Sequence, residues 1–434
     1  MVYKFQNKII DEVCTVTDCL HKTAPTVDYP TKYRMLRTNN IRNGKLQNIE
    51  STKSVTQDTY EKWSIRGYLE TNDVILTREA PMGEVAIIRD NDKYQFFLGQ
   101  RMLQLKAKEN IIIPEFLYYS LQTKMLRHQI MINEGTGSVV SNLRIPLLKK
   151  MNIPVPSIDI QKKLTNILID IDNKIETNNK LIANLEELSQ VLFKRWFVDF
   201  EFPDENGNPY KSSGGAMIDS QHGKIPSTWK IVELKDIVSQ KKNSFNPKKS
   251  SEESVIHFSL PAFDNGQIPS HDMTKDIKSN KWIIEDNCIL FSKMNPNTMR
   301  VWLPNPEPDF LNVASTEFIV LKSPDELKNS FIYALCSSQK FSDYLVSNAT
   351  GSTNSRQRVK PDKAMEFSMP LNPEIIDRLS KILNPMTKKI LLLRKEIQSL
   401  TLLRDTLLPK LMSGEIELPD TLEVTEDAEL LQRG

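Results

Sequence analysis

The second half of this chain echoes the first at a nearly constant offset. Asp73-Val-Ile-Leu76 matches Asn287-Cys-Ile-Leu290, and Thr136-Gly-Ser138 matches Thr350-Gly-Ser352, each pair 214 residues apart. Between these landmarks Leu105-Lys106 aligns with Leu321-Lys322 and Phe116-Leu-Tyr118 with Phe331-Ile-Tyr333, within two residues of that offset. Self-similarity on this scale means one structural plan built twice. It suits a chain of 434 residues, which is too long for one ordinary core.

Each copy opens with short segments rich in β-branched and aromatic residues, punctuated by turns such as Asn43-Gly44 and Asn265-Gly266. Each then carries one helix, Pro114 to about Ile130 and Asn329 to about Val346, and leaves through prolines at Ile153-Pro-Val-Pro156 and Phe367-Ser-Met-Pro370. A long helical stretch follows each exit. From Ile160 to Trp196, Leu164, Ile167, Ile171, Leu181, Leu185, Leu188 and Leu192 form an apolar stripe, interrupted by Lys174 and Asn178. An offset of 215 turns these into Leu379, Ile382, Met386, Glu396, Leu400, Leu403 and Leu407, all apolar but Glu396, where Ile397 is a substitute. Pro385 is expected to kink the second stretch and delay its regular part to about Met386.

At about 1.5 Å per residue the first stretch reaches roughly 55 Å, more than its own domain needs. Two matched stripes of equal length are best satisfied by each other. The chain between them is too short to bring a helix of that length home, so the expected arrangement is antiparallel. The fold class is therefore α+β: two repeated α/β domains separated by a pair of long antiparallel coiled-coil helices, with pseudo-twofold symmetry. The boundaries are 1–158 and 227–372 for the domains, 159–200 and 373–414 for the helices, 201–226 for a glycine-bearing linker and 415–434 for an acidic, flexible tail.

Composition narrows the function classes. The four cysteines (Cys14, Cys19, Cys288, Cys336) form no CxxC pair and the five histidines no HExxH, so no metal site or disulfide framework is expected. No basic n-region with an apolar core opens the chain and no stretch is long and apolar enough for a membrane span, which points to a cytoplasmic protein. The net charge is only +2, but from Glu415 onward seven carboxylates face one base, which leaves the preceding residues at +8. That surplus permits nucleic-acid binding.

Leu192-Phe-Lys-Arg-Trp-Phe-Val-Asp-Phe200, with Glu201-Phe-Pro-Asp-Glu-Asn-Gly207 and Ile225-Pro-Ser-Thr-Trp229, resembles the central region of specificity subunits of type I restriction-modification systems. Leu403-Arg-Asp-Thr-Leu-Leu-Pro-Lys-Leu-Met-Ser-Gly-Glu-Ile416 resembles their distal region. The chain departs from the pattern at its start, where Tyr3-Lys4-Phe5 stands without the Pro-x-x-Trp opening of the second copy. The resemblance implies a subunit that catalyses nothing. Two target recognition domains would each read half of a split sequence in double-stranded DNA, and the helices would set the gap and dock two adenine methyltransferase subunits. Restriction and translocase subunits would join through the complex. S-adenosylmethionine and ATP would belong to those partners, so no cofactor is expected here. The sequence agrees in lacking a GxxxxGK loop and an Asn-Pro-Pro-Tyr or Asp-Pro-Pro-Tyr motif.

The expected DNA contacts fall in repeated polar loops. Thr136, Ser138, Asn142 and Arg144 in the first copy match Thr350, Ser352, Asn354, Arg356 and Arg358 in the second. Glycines beside them allow close approach to phosphate, and Asn and Arg suit the edges of adenine and guanine. Arg37, Asn39, Asn40, Arg78, Gln100, Arg101 and Lys293 are further candidates. Trp196, Phe197, Phe200, Leu407 and Leu411 are the expected partner contacts. Two rival readings are a nuclease, from Pro308-Asp309 with Glu326-Leu-Lys328, and a protein-bridging scaffold. The nuclease motif has no counterpart in the first copy, and Glu326 sits where an acid suits a helix start.

Overall fold

The computed structural model describes residues 3–89, 93–132, 142–351 and 357–418. The chain divides into two compact units, Met1–Lys174 with Leu400–Gly434, and Ile175–Ser399. Each combines one β-rich domain with a length of both long helices.

In the first unit a four-stranded antiparallel sheet runs in the order Cys14–Asp18, Met102–Ala107, Val74–Thr77, Val85–Ile87. A three-stranded sheet holds Lys53–Ser54, Tyr33–Leu36 and Gln95–Leu98, the last two parallel. Gln6–Ile9 pairs with Asn152–Val155 and so joins the two ends of the domain. The second unit repeats the plan. Its four-stranded sheet runs Ser239–Lys241, Phe318–Lys322, Cys288–Ser292, Val301–Trp302, and its five-stranded sheet centres on the parallel pair Ser254–Phe258 and Leu311–Ser315. Lys230–Glu233 and Ser368–Leu371 form the joining pair.

The unbroken apolar runs of the sequence are explained by this layering, because both faces of each four-stranded sheet are covered. Val74 and Leu76 point to a cluster with Phe116 and Leu164, whereas Ile75 joins Leu36 and Phe96 beneath the smaller sheet. In the second unit Ile289 and Phe291 face Phe331 and Leu379, while Cys288 and Leu290 face Ile256 and Phe258.

Each helix expected inside a domain is two helices, Pro114–Gln122 with Lys124–Ile132 and Glu326–Cys336 with Gln339–Ser347. The breaks fall at repeat-equivalent hydroxyls. Thr123 Oγ1 donates to the Ser120 carbonyl at 2.7 Å and accepts from the Leu126 amide, and Ser338 Oγ does the same with Leu335 and Phe341. Such a hydroxyl ends one helix and caps the next.

The long helices are Ile158–Phe197 and Pro373–Ser413. The second is helical through Pro385, so its regular part is not delayed to Met386. An interior proline costs about 3 kcal/mol or more, but Leu379, Leu383 and Ile390 on either side are fully buried and hold the turn in place. Within the second unit Asn178 meets Glu396 and Glu186 meets Arg394, so the partners ascend on one helix and descend on the other, which is antiparallel pairing.

The buried stripe differs from the one read in the sequence. Leu164, Leu168 and Ile171 are buried in the first unit, and Ile175, Asn178 and Ile182 in the second, at steps of four and three. Leu181, Leu188, Ile382 and Leu403 are instead exposed. The true seam admits polar residues (Thr165, Asn178, Ser189, Thr387) that a search for apolar letters steps over in favour of adjacent leucines.

The linker 201–226 is packed on the second unit's core: Phe202 stacks on Trp229 and Tyr210, Ile225 is buried, and Met217–Ser220 pairs with Gly223–Pro226. Trp196, Phe197, Phe200 and Leu411, the expected partner contacts, are core residues at 7% exposure or less, and Leu407 is half-buried against the same cluster as Leu411. Phe197 packs within 5.1 Å of Trp229 and 4.9 Å of Phe331. The missing Pro-x-x-Trp opening has a substitute, since the Tyr3 hydroxyl bonds both backbone groups of Leu418 and Phe5 lies against Gly414. Of the tail, 415–418 are therefore held in place, and 419–434 lie outside the described residues. No helix among the described residues is long and apolar enough to cross a membrane.

Phe197→Ala should accordingly lower the unfolding free energy of the isolated chain by about 3–5 kcal/mol in urea titration. A residue serving only as a partner anchor would leave the midpoint in place.

Candidate nucleic-acid interface

In the first unit Arg78 ends the strand Val74–Thr77 at a crossing of three loops. Its amide donates to the Arg101 carbonyl at 2.8 Å and its carbonyl accepts from the Leu143 amide at 3.1 Å. Its guanidinium spans both oxygens of Asp18 (3.0 and 3.1 Å) and reaches Leu143 O and Asn142 Oδ1. With only 13% of the side chain exposed, Arg78 is a tie between strands rather than a probe. The second unit builds the same frame around Lys293, whose amide donates to the Glu317 carbonyl at 3.0 Å and whose carbonyl accepts from Val359 at 2.9 Å. Arg78, Arg101 and Asn142 thus correspond to Lys293, Glu317 and Arg358.

Charges are exchanged across this shared frame. In the first unit the base at the turn, Arg101, pairs with Glu79 at 3.1 Å. In the second the turn carries the acid, and Arg358 grips both oxygens of Glu317 at 3.1 Å. Arg358 also exchanges two backbone hydrogen bonds with Thr350, each 2.9 Å. Both guanidiniums remain about half exposed, at 51% and 52%.

The turn at Gly99–Arg101 gathers further candidates. The Gly99 amide donates to the Leu36 carbonyl at 2.8 Å, and a Cβ on Gly99 would lie 2.5 Å from that oxygen, so glycine is required there. The contact sets Arg37 beside Gln100, whose side-chain Nε2 donates to the His21 carbonyl. Arg37 and Asn39 are exposed on the turn Thr38–Asn40, but Asn40 is buried and its side chain is spent on the Arg37 amide and the Gln47 carbonyl. Thr136, Ser138, Ser352, Asn354 and Arg356 lie outside the described residues.

Arg144 is exposed at the start of the helix Ile145–Lys149, and Lys360 holds the matching place before Pro361–Met365. Sequence reading missed Lys360 because it aligned the loops on their glycines; the Pro that follows each of these caps was the available signal. Among the described residues, Arg37, Arg144, Lys293 and Lys360 have no carboxylate partner. Also missed were the acids Asp18, Glu79 and Glu317, which set how much positive charge each site shows.

The charged residues of the ExK half of the nuclease motif are paired with groups outside it. Glu326 pairs with Lys388 at 2.8 Å, and Lys328 lies near Asp325 and Asp377. Among the described residues one group has the ligand types for a metal, Asp18, Cys19 and His21. Asp18 is already occupied by the Arg78 guanidinium, and burial pushes the Cys19 thiol up, so this group is poorly suited to a cation.

Comparison with known proteins adds the following. Residues 4–187 match the family model described as type I restriction modification DNA specificity domain. The specificity subunit of the type I restriction enzyme MjaIX of Methanocaldococcus jannaschii is 25% identical over 385 residues, covering 85% of this chain and 83% of its own. The HindI specificity subunit of Haemophilus influenzae is 26% identical over 134 residues, covering 31% of this chain and 29% of its own. The crystal structure of a type I restriction-modification S subunit from M. genitalium superposes over 96% of this chain and 97% of that one, with a TM-score of 0.56 at 18% identity. The likeness to that structure is one of fold.

The geometry separates two arginines that look alike in the sequence. Arg144→Ala should weaken DNA binding and reduce the salt slope by about one, with unchanged stability. Arg78→Ala should cost about 1–3 kcal/mol in stability by removing the guanidinium that ties Asp18 to Asn142 and Leu143. Salt-dependent binding isotherms and urea titration of the two variants check this, and exchanged phenotypes would overturn the assignment.

Proposed function

We propose that this chain is a DNA specificity subunit of a type I restriction-modification system and that each β-rich domain reads one half of a bipartite duplex target. The paired helices set the gap between the halves. The subunit is non-catalytic and works within a type I complex. In the proposed assembly two adenine methyltransferase subunits seat on the helices, restriction and translocase subunits join through them, and the complex acts on DNA in the cytoplasm.

The observation that carries this reading is the frame built twice around Arg78 and Lys293. Main-chain hydrogen bonds hold it in both units, while the side chains it presents differ in charge and reach. A constant frame with variable side chains is what two readers of different half-sites require, because phosphate contacts position and base edges specify. For the methyltransferase seat, the exposed apolar residues of the long helices replace the buried ones expected from the sequence. Leu181, Leu188, Val191 and Leu392 in the second unit and Leu402 and Leu403 in the first are 38–70% exposed, unusual for leucines and valines on a packed helix pair.

Exchanging residues 227–372 for the matching domain of another specificity subunit should alter one half of the methylated sequence and leave the other half and the gap unchanged. Sequencing of methylated bases in host DNA reads the result, and a change in both halves or in neither would defeat the bipartite reading. The gap is tested separately. One heptad added after Asn178 and another after Leu393 lengthen both helices by about 10 Å and nearly preserve the seam. The gap should grow by roughly three base pairs at 3.4 Å each, with both half-sites intact; an unchanged gap in an active complex would refute the ruler.

A further inference from the structure

Each unit ties its β-rich domain to both long helices through one carboxylate. In the first, Asp172 of the first long helix accepts the Tyr119 hydroxyl on Oδ2 at 2.8 Å and Arg404 Nη1 of the second long helix on Oδ1 at 3.0 Å. In the second, Glu186 Oε1 accepts the Tyr333 hydroxyl at 2.9 Å and Arg394 Nη2 at 2.7 Å. Both tyrosines come from the helix that packs on the four-stranded sheet. Burial raises both phenols, Tyr333 to about 12, so each stays protonated and donates.

The repeat did not copy this link. At the offset of 215 the counterparts of Asp172 and Arg404 are Thr387 and Ser189, and the counterpart of Tyr119 is Ala334. The two units therefore reach the same chemistry, tyrosine to acid to arginine, from unrelated positions. Neither triad is a cheap source of stability. Asp172 and Arg404 keep only 15% and 20% side-chain exposure and Arg394 14%, and desolvating such charges offsets most of their attraction, so apolar residues of similar volume would hold the fold as well. What a bridging carboxylate adds is direction. An apolar contact tolerates sliding and rotation, whereas two hydrogen bonds to one carboxylate fix the angle of the domain helix against the pair.

We propose that the triads Tyr119–Asp172–Arg404 and Tyr333–Glu186–Arg394 are positioning residues that make recognition selective for the length of the gap, without touching DNA. The inference rests on the bipartite reading given above. Changing a gap by one base pair moves a half-site by about 3.4 Å and turns it by about 35°. A domain held at a fixed angle cannot follow that displacement; one on a loosened mount can.

The test uses the full chain assembled with its methyltransferase subunits, acting on duplexes that carry the native half-sites at the native gap and at one base pair more or less. Two variants are compared with the wild type: Tyr119→Phe with Tyr333→Phe, which removes two hydroxyls alone, and Tyr119→Phe, Asp172→Leu and Arg404→Met together, which makes one triad apolar. The wild type should prefer the native gap by about a hundredfold or more, the value of the base contacts a misplaced domain gives up. In both variants that preference should fall by about tenfold or more, with the same half-site bases methylated and the urea midpoint close to that of the wild type. Full gap preference in a folded, active variant overturns the proposal. So does loss of methylation in equal proportion at all three gaps, which is the mark of a purely structural role. Should the triple variant fail to fold, the hydroxyl-only variant decides alone. A wild type that marks no bipartite sequence would refute the bipartite reading itself, an outcome distinct from either of these.

Discussion

Neither β-rich domain closes its own core. In the first unit the helix-side face of the four-stranded sheet shares a cluster with Leu164 and Leu168 of one long helix and Leu411 and Met412 of the other. In the second the equivalent face shares a cluster with Phe193, Phe197, Leu379 and Leu383. Apolar burial at about 25 cal/mol per Å² is the main term favouring folding, so a domain cut away from the helices would expose the apolar side chains that the long helices now cover. The readers and the helices are one folding problem in each unit. This is why the FKRWFVDF segment, which has the composition of a contact surface, turns out to be core.

The frame at Arg78 and Lys293 shows how a duplicated plan tolerates divergence. Every hydrogen bond that defines it runs through main-chain atoms, which are the same whatever the side chain. The ion pairs laid over it are free to swap sense, Arg101 with Glu79 in one unit and Glu317 with Arg358 in the other. If the frame meets DNA as proposed, sequence specificity changes by substitution at fixed backbone positions, at little cost to the sheet below.

Much of this was legible in the sequence, and what was not has physical causes. The repeat, the two long helices and the domain exits were visible because apolar periodicity and proline placement act over many residues. The seam was misread at Leu181, Leu188, Ile382 and Leu403 because the residues truly inside include Asn178 and Thr387. A buried Asn satisfied by Glu396, or a Thr bonded to the Leu383 carbonyl, carries no apolar signal. Pro385 misled because a local penalty was weighed without the burial on both sides of it. Among site residues, exposure separates Arg37 and Arg144 from Asn40 and Arg78. Residue type alone could not, since the distinction depends on Asp18 and Gln47, which arrive from elsewhere in the chain.

The charge pattern bears on how such a subunit finds its target. A protein that relied on phosphate attraction would leave its cations unpaired. Here the guanidiniums nearest the frame are each matched by a carboxylate, Asp18, Glu79 or Glu317, while Arg37, Arg144, Lys293 and Lys360 have none among the described residues. Neutralised guanidiniums are still hydrogen-bond donors, and an arginine held by one carboxylate is already oriented and loses less entropy on meeting a base. Under the proposed reading, such a surface serves discrimination between sequences more than attraction to them. It is a suitable division of labour for a non-catalytic subunit of a complex, whose other members can supply general attraction to DNA while this one supplies the choice of site.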